Sequence, residues 1–128
     1  MRALLDTHAF IWWLVGDRRL VRSARQVLED KTNEIFVSAA SAWEITTKVR
    51  IGKLPQLSWF PGQSLKVVRE EGFLPLSVTI GHGDRAGSLP RHHRDPFDRM
   101  LIAQSQLESL ALVSNEVVFD NYGVTRVW

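Results

Sequence analysis

One stretch of the sequence decides the fold prediction: Arg2-Ala3-Leu4-Leu5-Asp6-Thr7-His8-Ala9-Phe10-Ile11-Trp12-Trp13-Leu14-Val15. Its apolar start, Arg2–Leu5, predicts a short strand, and Thr7–Val15 predicts a helix. Only Asp6 separates the two. A strand that passes directly into a helix is typical of α/β domains, in which ligands bind beyond the carboxyl ends of the strands. Asp6 is therefore the first residue to examine for chemistry.

The rest of the chain repeats this alternation. Further strands are predicted at Glu34–Ser38, Phe73–Val78, Ala111–Ser114 and, at the sheet edge, Val124–Val127. Helices are predicted at Ser23–Glu29, Ala39–Ile51, Ser64–Glu71 and from Asp95 to about Ser109, with a weak helix or loop at Gly81–Pro90. Strands separated by helices pair in parallel through right-handed crossovers. We therefore expect one α/β/α sandwich over residues 1–128, with a central parallel sheet of four or five strands.

Composition narrows the class of protein. The chain has 128 residues, a net charge of +2 and no cysteine, which fits one globular domain without disulfides. Its most apolar run, Ala9–Val15, is far shorter than the roughly 20 residues of a membrane span, so we expect a cytoplasmic protein with no membrane contact. Arginine supplies 12 of the 16 basic residues, which favours an anionic partner. Trp59 and Phe60, in a predicted loop at Leu57–Pro61, are expected to be an exposed pair that contacts a partner or a base.

Acidic residues from four separate parts of the chain fall near the predicted carboxyl edge of the sheet. They are Asp6, Glu44, Asp98 and Glu116. Converging carboxylates repel one another unless a cation neutralises them, and Mg²⁺ prefers oxygen ligands. The chain offers no cysteine, and its adjacent His92 and His93 lack the usual zinc spacing. The pattern favours Mg²⁺ or Mn²⁺ acting on a phosphate.

Each acid also has a purely structural interpretation. Asp6 and Asp95 could cap the helices that follow them, and Pro96 suits the first position of such a helix. A helical wheel places Glu44 on the polar face, four residues before Lys48, as in an ordinary ion pair. Glu116 lies in a predicted first helical turn, where an acid is favoured by the helix dipole.

Arginines surround the last of these helices. Arg91, Arg94 and Arg99 lie close in sequence to Asp95 and Asp98. They form either a solvated loop or a basic rim that contacts an RNA backbone, in which case binding would weaken as salt is added.

Several segments together resemble the PIN-domain ribonucleases of the VapC toxin type. The resemblance rests on Leu4–Trp13, Ser38–Ile45, His93–Gln104, Leu112–Glu116 and Phe119–Val124, in that order, and covers essentially the whole chain. The segment Asp95-Pro96-Phe97-Asp98-Arg99 is its most specific part.

The resemblance implies a Mg²⁺- or Mn²⁺-dependent endoribonuclease that forms a homodimer. It also implies a partner antitoxin whose C-terminal segment covers the active site, within a toxin–antitoxin complex that can be larger than a dimer. By position, the catalytic and metal-binding acids of the family correspond to Asp6, Glu44, Asp98 and Glu116, the last of which is more often aspartate in the family. Thr7, Ser114 and Asp95 match supporting polar positions.

Two other classes of function remain open at this stage. A non-catalytic, metal-dependent nucleic-acid-binding module would keep the same sheet and the same acids. A DNA-directed nuclease or a phosphatase could be built on a similar sandwich. Comparison of RNA and DNA substrates, with and without divalent metal, discriminates among them.

Overall fold

Helices flank a sheet of five short strands. A computed structural model describes residues 1–128. The strands are β1 (Arg2–Leu5), β2 (Glu34–Ser38), β3 (Leu74–Leu76), β4 (Ala111–Val113) and β5 (Arg126–Val127). The α-helices are α1 (Thr7–Val15), α2 (Arg22–Glu29), α3 (Ala39–Arg50), α4 (Ser64–Glu70), α5 (Ile80–Ser88) and α6 (Pro96–Glu108). Two 3₁₀ helices lie at Pro55–Leu57 and Val117–Tyr122. None of the helices combines the length and the apolar character that a membrane span requires.

The strand order is β3-β2-β1-β4-β5, and every neighbouring pair is parallel. The central strand β1 pairs with β2 and β4, so that Leu4 lies opposite Phe36 on one side and Leu112 on the other. The predicted single α/β domain with a parallel sheet is therefore confirmed, with five strands. This order brings the carboxyl ends of β1, β2 and β4 side by side at one edge.

The core has two layers, one on each face of the sheet, because successive side chains of a strand point to opposite faces. Ala3 and Leu5 belong to the larger layer, whereas Leu4 belongs to the smaller one. The larger layer is completed from α1 to α4, by residues that include Phe10, Leu28, Ile45 and Val68. The smaller layer is completed by α6 and the second 3₁₀ helix, through Leu101, Ile102 and Phe119.

The expectation of an exposed Trp59–Phe60 pair is wrong for Phe60. Trp59 is half-exposed, but Phe60 is fully buried in the larger core layer. Its ring lies edge-on to Phe10, with 6.3 Å between the ring centroids. Phe60 therefore lies in a loop between prolines but is buried, because its ring packs on the apolar surface of α1.

The glycine-rich segment at residues 81–90 forms a regular helix, α5, where the sequence favoured a weak helix or a loop. Its first turn is held by a capping box: the Thr79 hydroxyl accepts from the His82 amide at 3.1 Å, and His82 Nδ1 accepts from the Thr79 amide at 3.0 Å. The buried His82 ring then reaches Glu108 of α6, with 2.9 Å between Nε2 and Oε1. These contacts offset the low helix propensity of the three glycines.

Candidate active site

The four acids predicted from the sequence lie at the carboxyl edge of the sheet. Asp6 directly follows β1, and Glu116 follows β4 by three residues. Glu44 lies in the second turn of α3, which begins where β2 ends, and Asp98 lies in the first turn of α6. Parallel pairing of β1 with β2 and β4 thus brings together residues that are up to 110 positions apart in the chain.

Asp6 is almost completely buried and serves two structural roles at once. One carboxylate oxygen, Oδ1, accepts from the His8 amide at 3.2 Å and so caps α1, as its structural interpretation predicted. The other, Oδ2, accepts from the hydroxyl of Ser114, which follows β4. Burial raises the pKa of Asp6 to about 6, in opposition to the hydrogen bond from Ser114.

Asp98 is the most strongly perturbed group of the site. It is 5% exposed, and burial together with the charges of Asp6 and Glu116 raises its pKa to about 8. The charges of Asp95 and Glu44 act in the same direction. Because four other carboxylates act on Asp98, the structure places all of these acids in one electrostatic cluster.

Asp95 itself caps α6 as predicted. Its Oδ1 accepts from the amides of Phe97 at 2.8 Å and Asp98 at 3.1 Å, with Pro96 at the first helical position. Capping accounts for the position of this side chain, and its charge adds to the negative potential at Asp98.

Glu44 is buried, which corrects its assignment to a polar helix face. α3 packs against both α1 and α6, so the side of the helix that looks solvent-facing in isolation is covered, and Glu44 is 3% exposed. The predicted ion pair with Lys48 forms as well, with 2.7 Å between Nζ and Oε2. The second oxygen, Oε1, is buried and has no hydrogen-bond partner.

Two histidines that the sequence did not assign to the site bind the acids together. His93 Nδ1 accepts from the Asp95 amide at 3.2 Å, which leaves the proton of a neutral ring on Nε2. That nitrogen lies 2.9 Å from Asp98 Oδ2 and 3.2 Å from Glu116 Oε2. His8 lies on the other side of Glu116, with 3.7 Å between Nδ1 and Oε1.

These histidines distinguish Glu116 from the other acids. His8 and His93 lower the pKa of Glu116, whereas Glu116 raises the pKa of His8. Glu116 is therefore the acid with a histidine on each side, whereas Asp98 contacts only His93 and lies among other carboxylates. One feature of the sequence pointed to His93: it lies just before α6, a helix that is capped by Asp95 and carries Asp98 in its first turn. Its contact with Glu116 depends on the fold.

A divalent cation fits this donor set. Two overlapping groups, Asp6–His8–Glu116 and His93–Asp98–Glu116, each bring their ligand atoms within 4.8 Å of one another. Glu44 belongs to neither group, but its charge acts on both Asp98 and His8, which places it in the same electrostatic cluster. Its orphaned Oε1 is a buried acceptor without a donor, which is costly. A cation or its bound water would satisfy it.

The supporting residues Thr7 and Ser114 hold the elements of the site in register. The hydroxyls of Thr7 and Ser41 are 2.8 Å apart in a fully buried pair that joins α1 to α3. Ser114 donates to Asp6 and accepts from the Glu116 amide at 3.0 Å, so that one hydroxyl positions two of the acids.

Of the three arginines predicted to contact RNA, Arg99 has a structural role that occupies its side chain. Its terminal nitrogens donate four hydrogen bonds of 2.8–3.1 Å to backbone carbonyls between the end of α5 and the start of α6. Only Nε of the guanidinium is left without one of these bonds, so Arg99 shapes the rim, and its contact with RNA stays a prediction. Arg91 and Arg94 are exposed, and both line a cavity of ≈ 430 Å³ that also contains His93.

The fold and the acid cluster define an α/β domain with an acidic site at the carboxyl edge of a parallel sheet. The model of the PIN domain family matches residues 3–124, and the chain belongs to this family.

A curated relative and several solved structures are similar to this chain. Ribonuclease VapC16 of Mycobacterium tuberculosis is 41% identical over 66 residues, a match that spans 48% of this chain and only 44% of that protein. The VapBC2 structure from Rickettsia felis, bound to a DNA fragment from its promoter, aligns with a TM-score of 0.69 at 14% identity, over 98% of this chain and 97% of the other. The FitAcB structure from Neisseria gonorrhoeae aligns with a TM-score of 0.63 at 18% identity, over 100% of this chain and 97% of the other. Because these identities are low, the structural matches establish the fold alone.

Proposed function

We propose that this chain is a divalent-metal-dependent endoribonuclease that acts as the toxin of a toxin–antitoxin pair. The observation that carries the proposal is the cluster of Asp6, Glu44, Asp98 and Glu116, in which one acid has a pKa of about 8 and another has an orphaned buried oxygen. Membership of the PIN domain family and similarity to a protein named a ribonuclease support the same activity.

Asp6, Asp98 and Glu116 are the proposed metal ligands, with Glu44 acting directly or through water. When bound, Mg²⁺ or Mn²⁺ would activate a water molecule and neutralise charge on the scissile phosphate. The protein positions this chemistry: Ser114 orients Asp6, Lys48 holds one oxygen of Glu44, and His93 keeps the carboxylates of Asp98 and Glu116 at a fixed separation.

The proposed substrate is RNA, held at the basic rim by Arg91 and Arg94. Both side chains are exposed and line the cavity that adjoins His93. Removal of one cationic side chain that binds a phosphate of single-stranded RNA should make the plot of log affinity against log salt less steep by about 0.7. We expect this decrease for Arg91→Gln and Arg94→Gln, and no such decrease for the structurally engaged Arg99.

We further propose an antitoxin partner, a homodimeric toxin within the larger complex, and a cytoplasmic location, where both RNA and antitoxin are made. The support comes from a similar solved structure described as a toxin–antitoxin complex from Klebsiella pneumoniae, which aligns with a TM-score of 0.60 at 21% identity over 89% of this chain and 86% of the other. Growth arrest on expression of this chain, relieved by Asp98→Asn and by co-expression of the adjacent gene, would agree with the toxin role. Normal growth at high expression of the wild type would contradict it.

The decisive biochemical test compares labelled RNA and DNA of the same sequence with Mg²⁺, Mn²⁺ or EDTA. We expect RNA cleavage that requires metal and that Asp6→Asn or Asp98→Asn abolishes. Asp120→Asn is the matched control, because Asp120 also follows β4 but is exposed and paired with Arg126 at 2.9 Å, away from the cluster. Binding without cleavage would instead identify a binding module, and preferential cleavage of DNA would identify a DNA nuclease.

A further inference from the structure

An apolar cavity of ≈ 590 Å³ lies between α3, α5 and α6, beside the acid cluster. Its lining includes Trp43, Val78, Phe97 and Met100. The Trp43 side chain is 67% exposed, and its main aromatic contact is the ring of Phe97, which meets it edge to face with 4.9 Å between centroids. This volume falls in the range of pockets that hold a small organic ligand, which is about 300–1,000 Å³.

The apolar cavity adjoins the cationic cavity of the basic rim. Gly87, Arg94 and Arg99 line both of them. The cationic cavity also contains His93, whose Nε2 lies 2.9 Å from Asp98. The surface therefore changes, over a short distance, from acids to free guanidinium groups to an open aromatic face.

The chain positions of the two aromatic residues tie this surface to the proposed chemistry. Trp43 immediately precedes Glu44 on α3, and Phe97 immediately precedes Asp98 on α6. Consecutive helical residues are only about 1.5 Å apart along the axis, so each aromatic residue lies on the same turn of its helix as one of the acids, although adjacent side chains point in different directions. The adjoining cationic cavity contains His93, which links this surface to Asp98.

We propose that the two cavities bind one unpaired nucleotide of the RNA strand, next to the scissile phosphate. Its base stacks on Trp43, with Phe97 supporting the indole, and its phosphate lies at Arg94. The inference rests on the proposed ribonuclease function and makes it more specific: the substrate is single-stranded at this position, since the faces of a paired base are covered by its neighbours.

A nucleotide matches this surface better than a second copy of the chain or a peptide does. A nucleotide places a negative phosphate and a flat apolar ring side by side, and the two cavities provide arginines and an open indole in the same juxtaposition. Base–aromatic stacking contributes substantially to binding and tolerates any base. Trp43 is also expendable for folding, because most of its surface is in solvent.

The test measures cleavage of single-stranded oligoribonucleotides by the full chain with Mg²⁺ or Mn²⁺. Trp43→Ala should lower kcat/KM by about 5- to 150-fold, mainly through KM, because the stacking of one base is removed. Trp43→Phe should retain most of the activity. The matched control is Trp59→Ala, since Trp59 is 50% exposed and also meets a phenylalanine edge to face, yet lines neither cavity.

A second measurement locates the contact on the RNA. A single abasic position is moved along the oligonucleotide, and one position beside the cleaved bond should reduce kcat/KM for the wild type but not for Trp43→Ala. Equal cleavage by the wild type and Trp43→Ala would overturn the inference and leave the ribonuclease function intact. Two other results for Trp43→Ala would also overturn the inference. One is a loss of activity that does not depend on the abasic position and that accompanies dimer dissociation in light scattering. The other is unchanged cleavage together with weaker inhibition by the antitoxin. If the wild type cleaves no RNA, the proposed function itself fails.

Discussion

Replacement of Asp98 by asparagine is expected to abolish cleavage and, without divalent metal, to stabilise the folded protein at neutral pH. The carboxyl group is buried beside the charges of Asp6 and Glu116. Asparagine has nearly the same shape, and its carbonyl oxygen can still accept from His93 Nε2. The substitution therefore removes a charge penalty with little change in packing, in keeping with the stability that active sites commonly sacrifice for function.

The pKa of Asp98 determines the size and the sign of the expected change in the free energy of unfolding. It is about 8 in the folded state against 3.8 for the free side chain. Between these values the folded state keeps a proton that the unfolded state has released, so the free energy of unfolding falls as the pH rises from about 4 to about 8. At pH 7, which is about three pH units above the unfolded pKa of 3.8, the ionisation of Asp98 can lower the free energy of unfolding by at most about 4 kcal/mol. We expect Asp98→Asn to recover about 2–4 kcal/mol there.

Urea unfolding in EDTA at pH 7 and near pH 4 measures this effect. The gain should be present at pH 7 and should nearly vanish near pH 4, because the penalty accumulates only above the pKa of the unfolded state. Mg²⁺ should stabilise the wild type more than the variant, because a ligand that binds only the folded state raises its stability. Asp120→Asn, which removes an exposed carboxylate of lowered pKa, should give no gain. A variant that is no more stable than the wild type at pH 7, or equally stabilised at both pH values, would refute the reasoning.

Three further substitutions test the supporting residues. Burial raises the pKa of Asp6 to about 6, and the hydrogen bond from Ser114 lowers it. Ser114→Ala should therefore move the acid limb of the pH–rate profile to higher pH by about one unit. An acid limb at the same pH would contradict this role of Ser114. His93→Ala should lower the free energy of unfolding in EDTA by about 1–3 kcal/mol, because two carboxylates no longer share a donor, and Mg²⁺ should restore most of it in thermal melts. Arg99→Ala should lower the free energy of unfolding by about 3 kcal/mol and leave the salt dependence of RNA binding unchanged, whereas a changed salt slope would return Arg99 to the RNA interface.

The architecture was predictable because each strand and helix carries its signal locally. The strand at Glu34–Ser38 has the observed bounds, and Ala39–Ile51 exceeds the observed α3 by one residue. The helix that opens with Asp95 and Pro96 begins as the cap and proline rules require. By contrast, α5 has a local capping box at Thr79 and His82 but is also held by the contact of His82 with Glu108, 26 residues away, so its glycines misled a local interpretation.

The site was only partly predictable, because electrostatics within it depend on distant contacts. The position of Asp6 at the end of a strand was enough to predict its place in the cluster. A helical wheel gave Glu44 the wrong environment, since it does not include the packing of α3 on α6. The role of His93 arises from Glu116, which is 23 residues away in sequence, and no pattern in the chain indicates that contact.

The strand order has a consequence for the moment at which the protein becomes active. Ser114 reaches Asp6 across 108 positions, and β4 can pair with β1 only after Ala111–Val113 have been synthesised. Long-range parallel pairing is also slow, because the entropy of loop closure must be overcome first. A nascent chain that has already formed β1, β2 and the helices between them still lacks Asp98 and Glu116. On the proposed function, a growing polypeptide cannot cleave RNA until the ribosome has synthesised it past Glu116.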